Sequence, residues 1–231
     1  MTLRSFLAAV SLAVLAACTP RGDRFVAAVR SIEPSVVLLT MHLAPRDPKA
    51  HGFDDGYATG FVVASGRWGS DVLTVEHAVE GARDLHVTIA NRRRVPARVI
   101  ARDGDRDLAL VRLAVPDLPV ARLASPSDLH DLVGAAVGLA GYPIPDEFAD
   151  EGLGLATSVA AGRLSAVRRG ALELMLTIVP GESGGPVFRA FDGAVIGVAE
   201  SRFDGEPSIG FAVPLSEVRA FLHKTDAVHG F

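Results

Sequence analysis

Short apolar stretches, each bounded by Gly, Pro, Asp or Asn, recur along most of the chain and fall into two series. Runs of this length, rich in Val, Ile, Leu and Phe between turn-forming residues, are typical of β-strands. The first series predicts strands at Ser35–Leu43, Gly60–Ala64, Val72–Thr74, Asp84–Ala90, Val95–Ala101 and Leu108–Leu113. The second series predicts strands at Ala135–Leu139, Leu155–Leu164, Ala171–Ile178, Pro186–Phe188, Ala194–Ser201 and Ile209–Val213. Two sets of short strands favour an all-β fold, built as barrels or sandwiches, over alternating βαβ units.

Three short helices are predicted outside these strands. Phe25–Ile32 is followed by Pro34, which ends it because proline lacks a backbone donor and restricts the residue before it. Ser127–Leu132 lies in the connection between the two series, and Ser216–His223 closes the chain. The folded part of the chain is therefore expected to begin near Phe25.

The N-terminal residues have the layout of a secretory signal. Arg4 is the one charged residue in positions 1–17, and it precedes an apolar run from Phe6 to Ala17 that ends in small residues. The run is shorter than the about 20 residues that a membrane-spanning helix needs. We therefore expect residues 1–17 to be a signal peptide rather than a membrane span.

The stretch Leu15–Cys18 resembles the lipobox of bacterial lipoproteins, in which cleavage leaves an acylated cysteine as the first mature residue. The resemblance implies that Cys18 carries the lipid and that residues 18–24 tether the domain to the lipid bilayer of the bacterial cell envelope. Thr19 stands where the sorting rules of that family place Asp for inner-membrane retention, which favours the periplasmic side of the outer membrane. An ordinary free thiol at Cys18 is the alternative.

The composition excludes several classes of protein. The chain has 231 residues, 23 Lys and Arg against 27 Asp and Glu, and a formal net charge of −4. A mixed, slightly acidic chain lacks the clustered basic face that nucleic-acid binding needs. The single cysteine can form neither an internal disulfide nor the multi-cysteine ligand set of a structural zinc site. A cysteine-rich zinc site is therefore excluded, and we expect neither a metal nor a cofactor.

The stretch Pro180–Pro186 carries the strongest chemical signal, because it places Ser183 among three glycines. Glycine permits a tight turn in which backbone N–H groups converge, as the binding of an oxyanion requires. The stretch also fits the pattern Gly-x-Ser-x-Gly of an α/β-hydrolase, in which a helix follows the serine and the acid and histidine come later. Gly184, Gly185 and Pro186 oppose such a helix, so we reject that interpretation.

The chymotrypsin order, histidine before aspartate before serine, is present instead. His77 follows the apolar strand that ends at Thr74, and Asp107 stands directly before the strand that begins at Leu108. Each residue alone would read as a surface histidine or a turn acid. Together with Ser183, these two residues give a histidine, an aspartate and a serine in the chymotrypsin order, each at a strand edge. The combination predicts a catalytic triad.

These motifs resemble those of trypsin-fold serine proteases, specifically the bacterial HtrA or Deg-type branch, over a region from Phe25 to about Phe221. The Glu33–Val37 stretch is similar to the branch's "SPSVV" strand and Thr59–Val63 to its "GSGFV". His77, Asp107 and Ser183 match the triad residues of "TNAHVV", "DLAL" and "GNSGGP". Downstream, Val195–Val198 and Ile209–Pro214 resemble "VIGI" and "GIGFAIP".

The resemblance implies two six-stranded antiparallel β-barrels within a protease domain at 25–231, with a short helix at each end. The first barrel would span about 35–113 and the second about 135–214. The implied activity is that of a serine endopeptidase acting on proteins or peptides, in envelope protein processing or quality control. The backbone N–H groups of Gly181 and Ser183 would form the oxyanion hole, and no cofactor is implied.

Two residues depart from the pattern of the family. Glu76 precedes the histidine, where its carboxylate could either face solvent or raise the pKa of the imidazole. Glu182 replaces the Asn or Asp before the serine. The chain also leads us to expect no PDZ domain after the closing helix. Deg-type relatives often trimerise through an N-terminal region that is short here, so the oligomeric state stays open.

The resemblance also suggests the lining of a specificity pocket, with Thr177 near its floor and Ala199, Glu200, Ser201 and Gly210 in its walls. Mostly uncharged walls predict a small or medium apolar side chain before the cleaved bond. If Glu200 faced inward, a basic side chain would be favoured instead. The alternative function is a protease-fold binding or scaffold lipoprotein with little or no turnover.

Overall fold

The computed structural model describes residues 21–45, 52, 54–89, 93–125, 129–200 and 208–229. Within these ranges, twelve antiparallel strands form two closed barrels of six strands each. This architecture confirms the predicted all-β fold with two six-stranded barrels and a helix near each end.

The first barrel contains the strands β1 to β6 in the order β1-β2-β3-β6-β5-β4. Their bounds are Val36–Leu43 (β1), Asp54–Gly66 (β2), Gly69–Thr74 (β3), Arg83–Thr88 (β4), Arg94–Asp103 (β5) and Leu108–Leu113 (β6). Because β3 pairs with β6, the ends of these two strands lie side by side. The residues that follow β3 and precede β6 are thereby brought together.

The second barrel contains the strands β7 to β12 in the order β10-β11-β12-β9-β8-β7. Their bounds are Ala136–Gly141 (β7), Ser158–Arg168 (β8), Ala171–Met175 (β9), Pro186–Arg189 (β10), Val195–Glu200 (β11) and Gly210–Pro214 (β12). The Pro180–Pro186 stretch is the connection that leads into β10. A serine on that connection faces the first barrel across the interface between the two barrels.

Helices occupy the connections and the ends of the described chain. They are Arg21–Ile32 (α1), Glu76–Val79 (α2), Pro145–Asp150 (α3) and Leu215–His229 (α4), with 3₁₀ turns at Glu33–Ser35 and Leu129–Leu132. None of the helices in the described ranges combines the length and the apolar character needed to cross a membrane.

Several element bounds differ from those predicted. The strand β2 extends well before Gly60, because its polar N-terminal half pairs with β1 down to the Leu43–Asp54 pair. The predicted helix Ser127–Leu132 is a 3₁₀ turn at 129–132 in its described part, and β8 begins at Ser158 rather than at Leu155. The helix α3 was not predicted.

Apolar side chains from both barrels and from α1 form one continuous core between them. Phe61 and Leu73 of the first barrel, Phe188 of the second and Ile32 of α1 belong to this cluster, and each is almost completely buried. The rings of Phe25 and Phe188 stack at 6.1 Å. Burial of this kind contributes about 25 cal/mol per Å² of apolar surface, so the barrel interface is a stable packing surface.

An ion pair between a buried carboxylate and a partly exposed guanidinium joins the two strands that lead to the candidate site. Asp71 of β3 and Arg112 of β6 are directly opposed in the sheet. The Arg112 guanidinium donates from Nε and Nη2 to the two carboxylate oxygens at 2.7 and 2.8 Å, and Asp71 is 2% exposed. The bidentate geometry fixes the relative position of β3 and β6.

We predict that Arg112→Met destabilises the protein by about 3–5 kcal/mol, because Asp71 is then left buried without its guanidinium partner. Urea unfolding followed by circular dichroism measures the loss. The double variant Asp71→Leu/Arg112→Met removes both charges and is expected to recover most of the lost stability. Equal midpoints for Arg112→Met and the unsubstituted chain would contradict this role.

Candidate active site

Ser183 lies on a tight turn whose shape requires glycine on both sides. Gly181 and Gly184 have φ angles of +93° and +89°, in the left-handed region that favours glycine. A Cβ atom at Gly184 would lie 2.1 Å from the carbonyl oxygen of Thr59, and one at Gly181 would lie 2.3 Å from the carbonyl oxygen of Tyr142. The turn is therefore pressed against its neighbours, and Ser183 itself is only 9% exposed.

Backbone hydrogen bonds hold this turn to β11. The Gly184 N–H donates to the carbonyl of Ala199 at 2.9 Å, and the Ala199 N–H donates to the carbonyl of Gly185 at 2.8 Å. Within the turn, the Gly185 N–H donates to the Glu182 carbonyl at 2.9 Å. The serine is thus presented from a rigid backbone rather than from a free loop.

The side chain of Glu182 folds back into the same turn. Its Oε2 atom accepts a hydrogen bond from the Val179 N–H at 3.0 Å, and the residue is 4% exposed. Burial raises the pKa of the Glu182 carboxyl, and the hydrogen bond from Val179 opposes part of that rise. The departure from the pattern of the family therefore places a buried acid beside Ser183.

The peptide unit between Pro180 and Gly181 has a defined orientation. The Ile144 N–H donates to the Pro180 carbonyl at 2.8 Å. In a trans peptide the C=O and N–H groups point in opposite directions, so the Gly181 N–H is directed away from Ile144. Ile144 has a φ angle of +34° and directly precedes α3.

His77 and Asp107 make two hydrogen bonds to each other. The His77 backbone N–H donates to Oδ1 of Asp107 at 2.8 Å, and Nδ1 of the imidazole lies 2.7 Å from Oδ2. An ionised carboxylate only accepts hydrogen bonds, so Nδ1 carries the proton and Nε2 is the free acceptor in the neutral ring. Asp107 has a left-handed φ angle of +52°, which Asp adopts more readily than most residues.

The surroundings of His77 favour its charged form. The hydrogen bond that Nδ1 donates to Asp107 raises the pKa of the imidazole, burial lowers it, and the charges of Asp107, Glu200 and Glu76 raise it further. Glu76 also lies 3.5 Å from Nη1 of Arg102. The Glu76 carboxylate therefore both pairs with an arginine and contributes to the field at the histidine.

The turn before Asp107 is fixed by the C-terminal helix. Nε of Arg106 donates to Glu217 of α4 at 2.7 Å, and Nη1 donates to Asp103 at 2.8 Å. Both contacts raise the pKa of Arg106, so the guanidinium stays charged. The helix that follows the second barrel thereby restrains the aspartate of the first barrel.

A cleft of about 670 Å³ contains both His77 and Ser183. Residues from the two barrels line its sides, and Gly181 and Pro180 form part of its wall. Its remaining lining residues are Leu43, Ala44, Asp54, Asp55, Gly56, Tyr57, Ala78, Ile144, Pro145, Asp146 and Glu147. The imidazole and the glycine turn therefore border one common cleft.

The predicted pocket residues lie elsewhere around the turn. Ala199 and Glu200 are buried at the end of β11, Thr177 is exposed, and Gly210 begins β12. A Cβ atom on Gly210 would lie 2.9 Å from the side chain of Ile178, so the two segments are in contact. These four residues do not line the cleft described above. Ser201 lies outside the described residues, so the specificity pocket stays a prediction. Cys18, the predicted site of lipidation, also lies outside them.

Thr59 has contacts that its sequence position did not indicate. Its backbone N–H donates to the Ser183 carbonyl at 2.9 Å, and its hydroxyl donates to the Gly181 carbonyl at 2.7 Å. These partners are more than 120 positions away in sequence. A threonine in a strand-forming stretch carries no signal of such a contact, so only the fold reveals it.

Among the described residues, no group of three or more His, Cys, Asp or Glu is arranged to hold a metal ion.

Comparison with solved structures finds the same fold in known proteases. The crystal structure of a serine endoprotease from Yersinia pestis superposes with a TM-score of 0.68 at 25% identity, covering 87% of this chain and 65% of that one. The HtrA-type protease AlgW, in a structure with a tripeptide, has a TM-score of 0.69 at 22% identity. The matched regions cover 89% of this chain and 64% of AlgW, and at this identity they show the shared fold.

Sequence comparison gives the same family. A probable periplasmic serine endoprotease, DegP-like, from Hahella chejuensis is 32% identical over 184 residues. The match covers 74% of this chain but only 36% of that relative, so the chain spans about a third of the length of the curated relatives it matches. Residues 58–198 match the model of the trypsin-like peptidase domain, which confirms the resemblance to the HtrA branch. The chain therefore belongs to the family of trypsin-like peptidase domains.

Proposed function

We propose that the chain is a serine endopeptidase in which Ser183 is the nucleophile, His77 the general base and Asp107 the residue that orients the imidazole. The observation that carries this proposal is the pair of hydrogen bonds, 2.8 and 2.7 Å, between His77 and Asp107. Two contacts fix both the position and the tautomer of the ring, which leaves Nε2 able to accept a proton. The cleft that holds this ring also holds Ser183.

In the first step, Oγ of Ser183 attacks the carbonyl carbon of a peptide bond while Nε2 of His77 takes the hydroxyl proton. The carbonyl oxygen becomes an oxyanion, and the backbone N–H groups of Gly181 and Ser183 stabilise it. Each such donor contributes roughly 3–4 kcal/mol in comparable sites. The orientation of the Pro180–Gly181 peptide, set by Ile144, supports the role of the Gly181 donor.

In the second step, the tetrahedral intermediate collapses and the bond to the leaving nitrogen breaks. His77 returns its proton to that nitrogen, so a neutral amine leaves and an acyl ester remains on Ser183. Water then attacks the ester with His77 again acting as base, which releases the carboxylic acid and restores the serine hydroxyl. Asp107 stabilises the charged imidazole in both steps, and besides the substrate and water only groups of the chain take part.

The proposed location is the bacterial cell envelope. The DegP-like relatives are named periplasmic endoproteases, which supports export and a role in envelope protein processing or quality control. We further propose that acylation of Cys18 anchors the domain to the membrane. Because α1 begins at Arg21, the domain would lie close to the bilayer surface. Proteins or peptides are the proposed substrates.

We predict that a fluorophosphonate probe labels the full-length chain in detergent at Ser183, and that Ser183→Ala abolishes the labelling. Asp107→Asn leaves the serine in place but removes the orienting carboxylate, so kcat on a peptide substrate is expected to fall about 10⁴-fold. Gel fluorescence and peptide mapping measure the first effect, and steady-state kinetics measure the second. Equal labelling of Ser183→Ala, or none of the unsubstituted chain, would leave a binding or scaffold protein as the function.

The raised pKa of His77 predicts the pH dependence of the reaction. The base must be neutral to accept a proton, so kcat/KM is expected to rise with pH through a midpoint above that of an ordinary imidazole. Glu200→Gln removes one negative charge that favours the imidazolium, so the midpoint should move to lower pH. Glu33→Gln, on the 3₁₀ turn after α1, is the matched control. A shift of the same size in both variants would contradict the assignment.

We predict that Cys18 is the only site of acylation. Metabolic labelling of the expressing cells with an alkyne analogue of palmitate is expected to mark the unsubstituted chain and to be absent from Cys18→Ser. The unsubstituted chain should sediment with membranes, because several acyl chains anchor firmly where one binds only marginally. Labelling that survives in Cys18→Ser, or a free thiol on the mature chain, would refute lipid anchoring.

A further inference from the structure

We propose that Thr59 is a positioning residue of the active site. Its hydroxyl fixes the Gly181–Glu182 peptide unit, which lies between the two peptide units that carry the oxyanion-binding N–H groups of Gly181 and Ser183. The inference rests on the proposed endopeptidase function, and it assigns a task to a residue of the opposite barrel. Thr59 lies in β2 and is 0% exposed, so its hydroxyl has no access to solvent.

Both hydrogen-bonding functions of the hydroxyl serve the site. Oγ1 of Thr59 donates to the Gly181 carbonyl at 2.7 Å and accepts from the Tyr142 N–H at 2.9 Å. A hydroxyl has a single proton, so donation to Gly181 fixes its rotation, while a lone pair receives the Tyr142 N–H. The hydroxyl therefore connects the nucleophile turn with the segment that leads to α3.

Gly181 needs such a restraint because glycine itself provides none. A residue without a Cβ populates positive and negative φ about equally, so the peptides on either side of Gly181 have little intrinsic preference. The Pro180 carbonyl is held by the Ile144 N–H at 2.8 Å, and the Gly181 carbonyl is held by Thr59 at 2.7 Å. The Ile144 contact orients the peptide unit that carries the Gly181 N–H, and the Thr59 contact fixes the next unit, Gly181–Glu182. With the units on both sides held, Gly181 cannot rotate freely between them.

Thr59 is itself fixed by its own backbone. Its N–H donates to the Ser183 carbonyl at 2.9 Å, and its carbonyl accepts from the hydroxyl of Thr74 at 2.7 Å. Thr74 ends β3, three residues before His77. Substitution of Thr59 by valine keeps these backbone groups and nearly the same side-chain volume but removes the hydroxyl, so this variant removes the contacts with Gly181 and Tyr142 together.

The first test compares kinetic constants of full-length variants on a peptide substrate. Thr59→Val is expected to lower kcat by about ten- to a hundredfold, part of the loss caused by removing an oxyanion donor, with KM nearly unchanged. Thr59→Ser keeps the hydroxyl and should restore most of kcat. The control is Ser70→Ala, which removes a buried hydroxyl that donates to Val115 at 2.6 Å in the same barrel and should leave kcat unchanged.

The second test measures hydrogen exchange and does not depend on activity. Amides of residues 179–187 are expected to exchange faster in Thr59→Val than in the unsubstituted chain or in Thr59→Ser. If Thr59→Val fails to fold, Thr59→Cys replaces it, and its weaker donor should give a loss between those of Ser and Val.

Unchanged kcat and unchanged exchange in Thr59→Val would overturn the inference, as would a loss that Thr59→Ser does not restore. The two hypotheses can also be separated. If the fluorophosphonate fails to label the unsubstituted chain while Thr59→Val still speeds exchange in the turn, the endopeptidase function is refuted and the restraint by Thr59 stands.

Discussion

The hydrogen bonds that Thr59 makes across the barrel interface are the contacts on which the arrangement of the site depends. The serine and the glycines around it belong to the second barrel, and the histidine and aspartate belong to the first. Neither barrel contains a complete site, so some contact must set the distance and angle between the two halves. Thr59 does this through the carbonyls of Gly181 and Ser183, in a region without solvent that would compete for hydrogen bonds.

Other contacts reinforce this relation between the barrels. The continuous apolar core keeps the two barrels packed, but apolar contacts are not directional and cannot orient a peptide group. Two directional contacts of the first barrel supply the missing precision: Arg106 with Glu217 of α4, and Thr59 with the turn that carries Ser183. Within the first barrel, the ion pair of Asp71 with Arg112 fixes the two strands that lead to His77 and Asp107. The helix α4 thus helps to hold Asp107 in place through the contact of Glu217 with Arg106.

The sequence predicts the elements whose structure is determined by the hydrophobic pattern and by local motifs. Most strands were predicted because apolar runs between turn residues are local, and the all-β, two-barrel fold was confirmed. The polar half of β2 was missed because residues from Asp54 onward form a strand only by pairing with β1. The helix α3 was missed although Pro145 and the acids after it are typical of a helix start. For the site, the motifs identified candidates for the triad, whereas the roles of Thr59 and the burial of Glu182 depend on partners that the fold alone brings near.

The buried carboxyl of Glu182 and the imidazole of His77 give the site a common response to acid. Both groups have pKa values raised in the folded chain, so the folded state binds more protons than the unfolded chain between the ordinary and the raised values. As the pH falls through these ranges, protonation of either group adds to the stability of the fold, and protonation of His77 also removes the proposed base. As far as these two groups are concerned, mild acid would therefore stop the proposed reaction without weakening the fold.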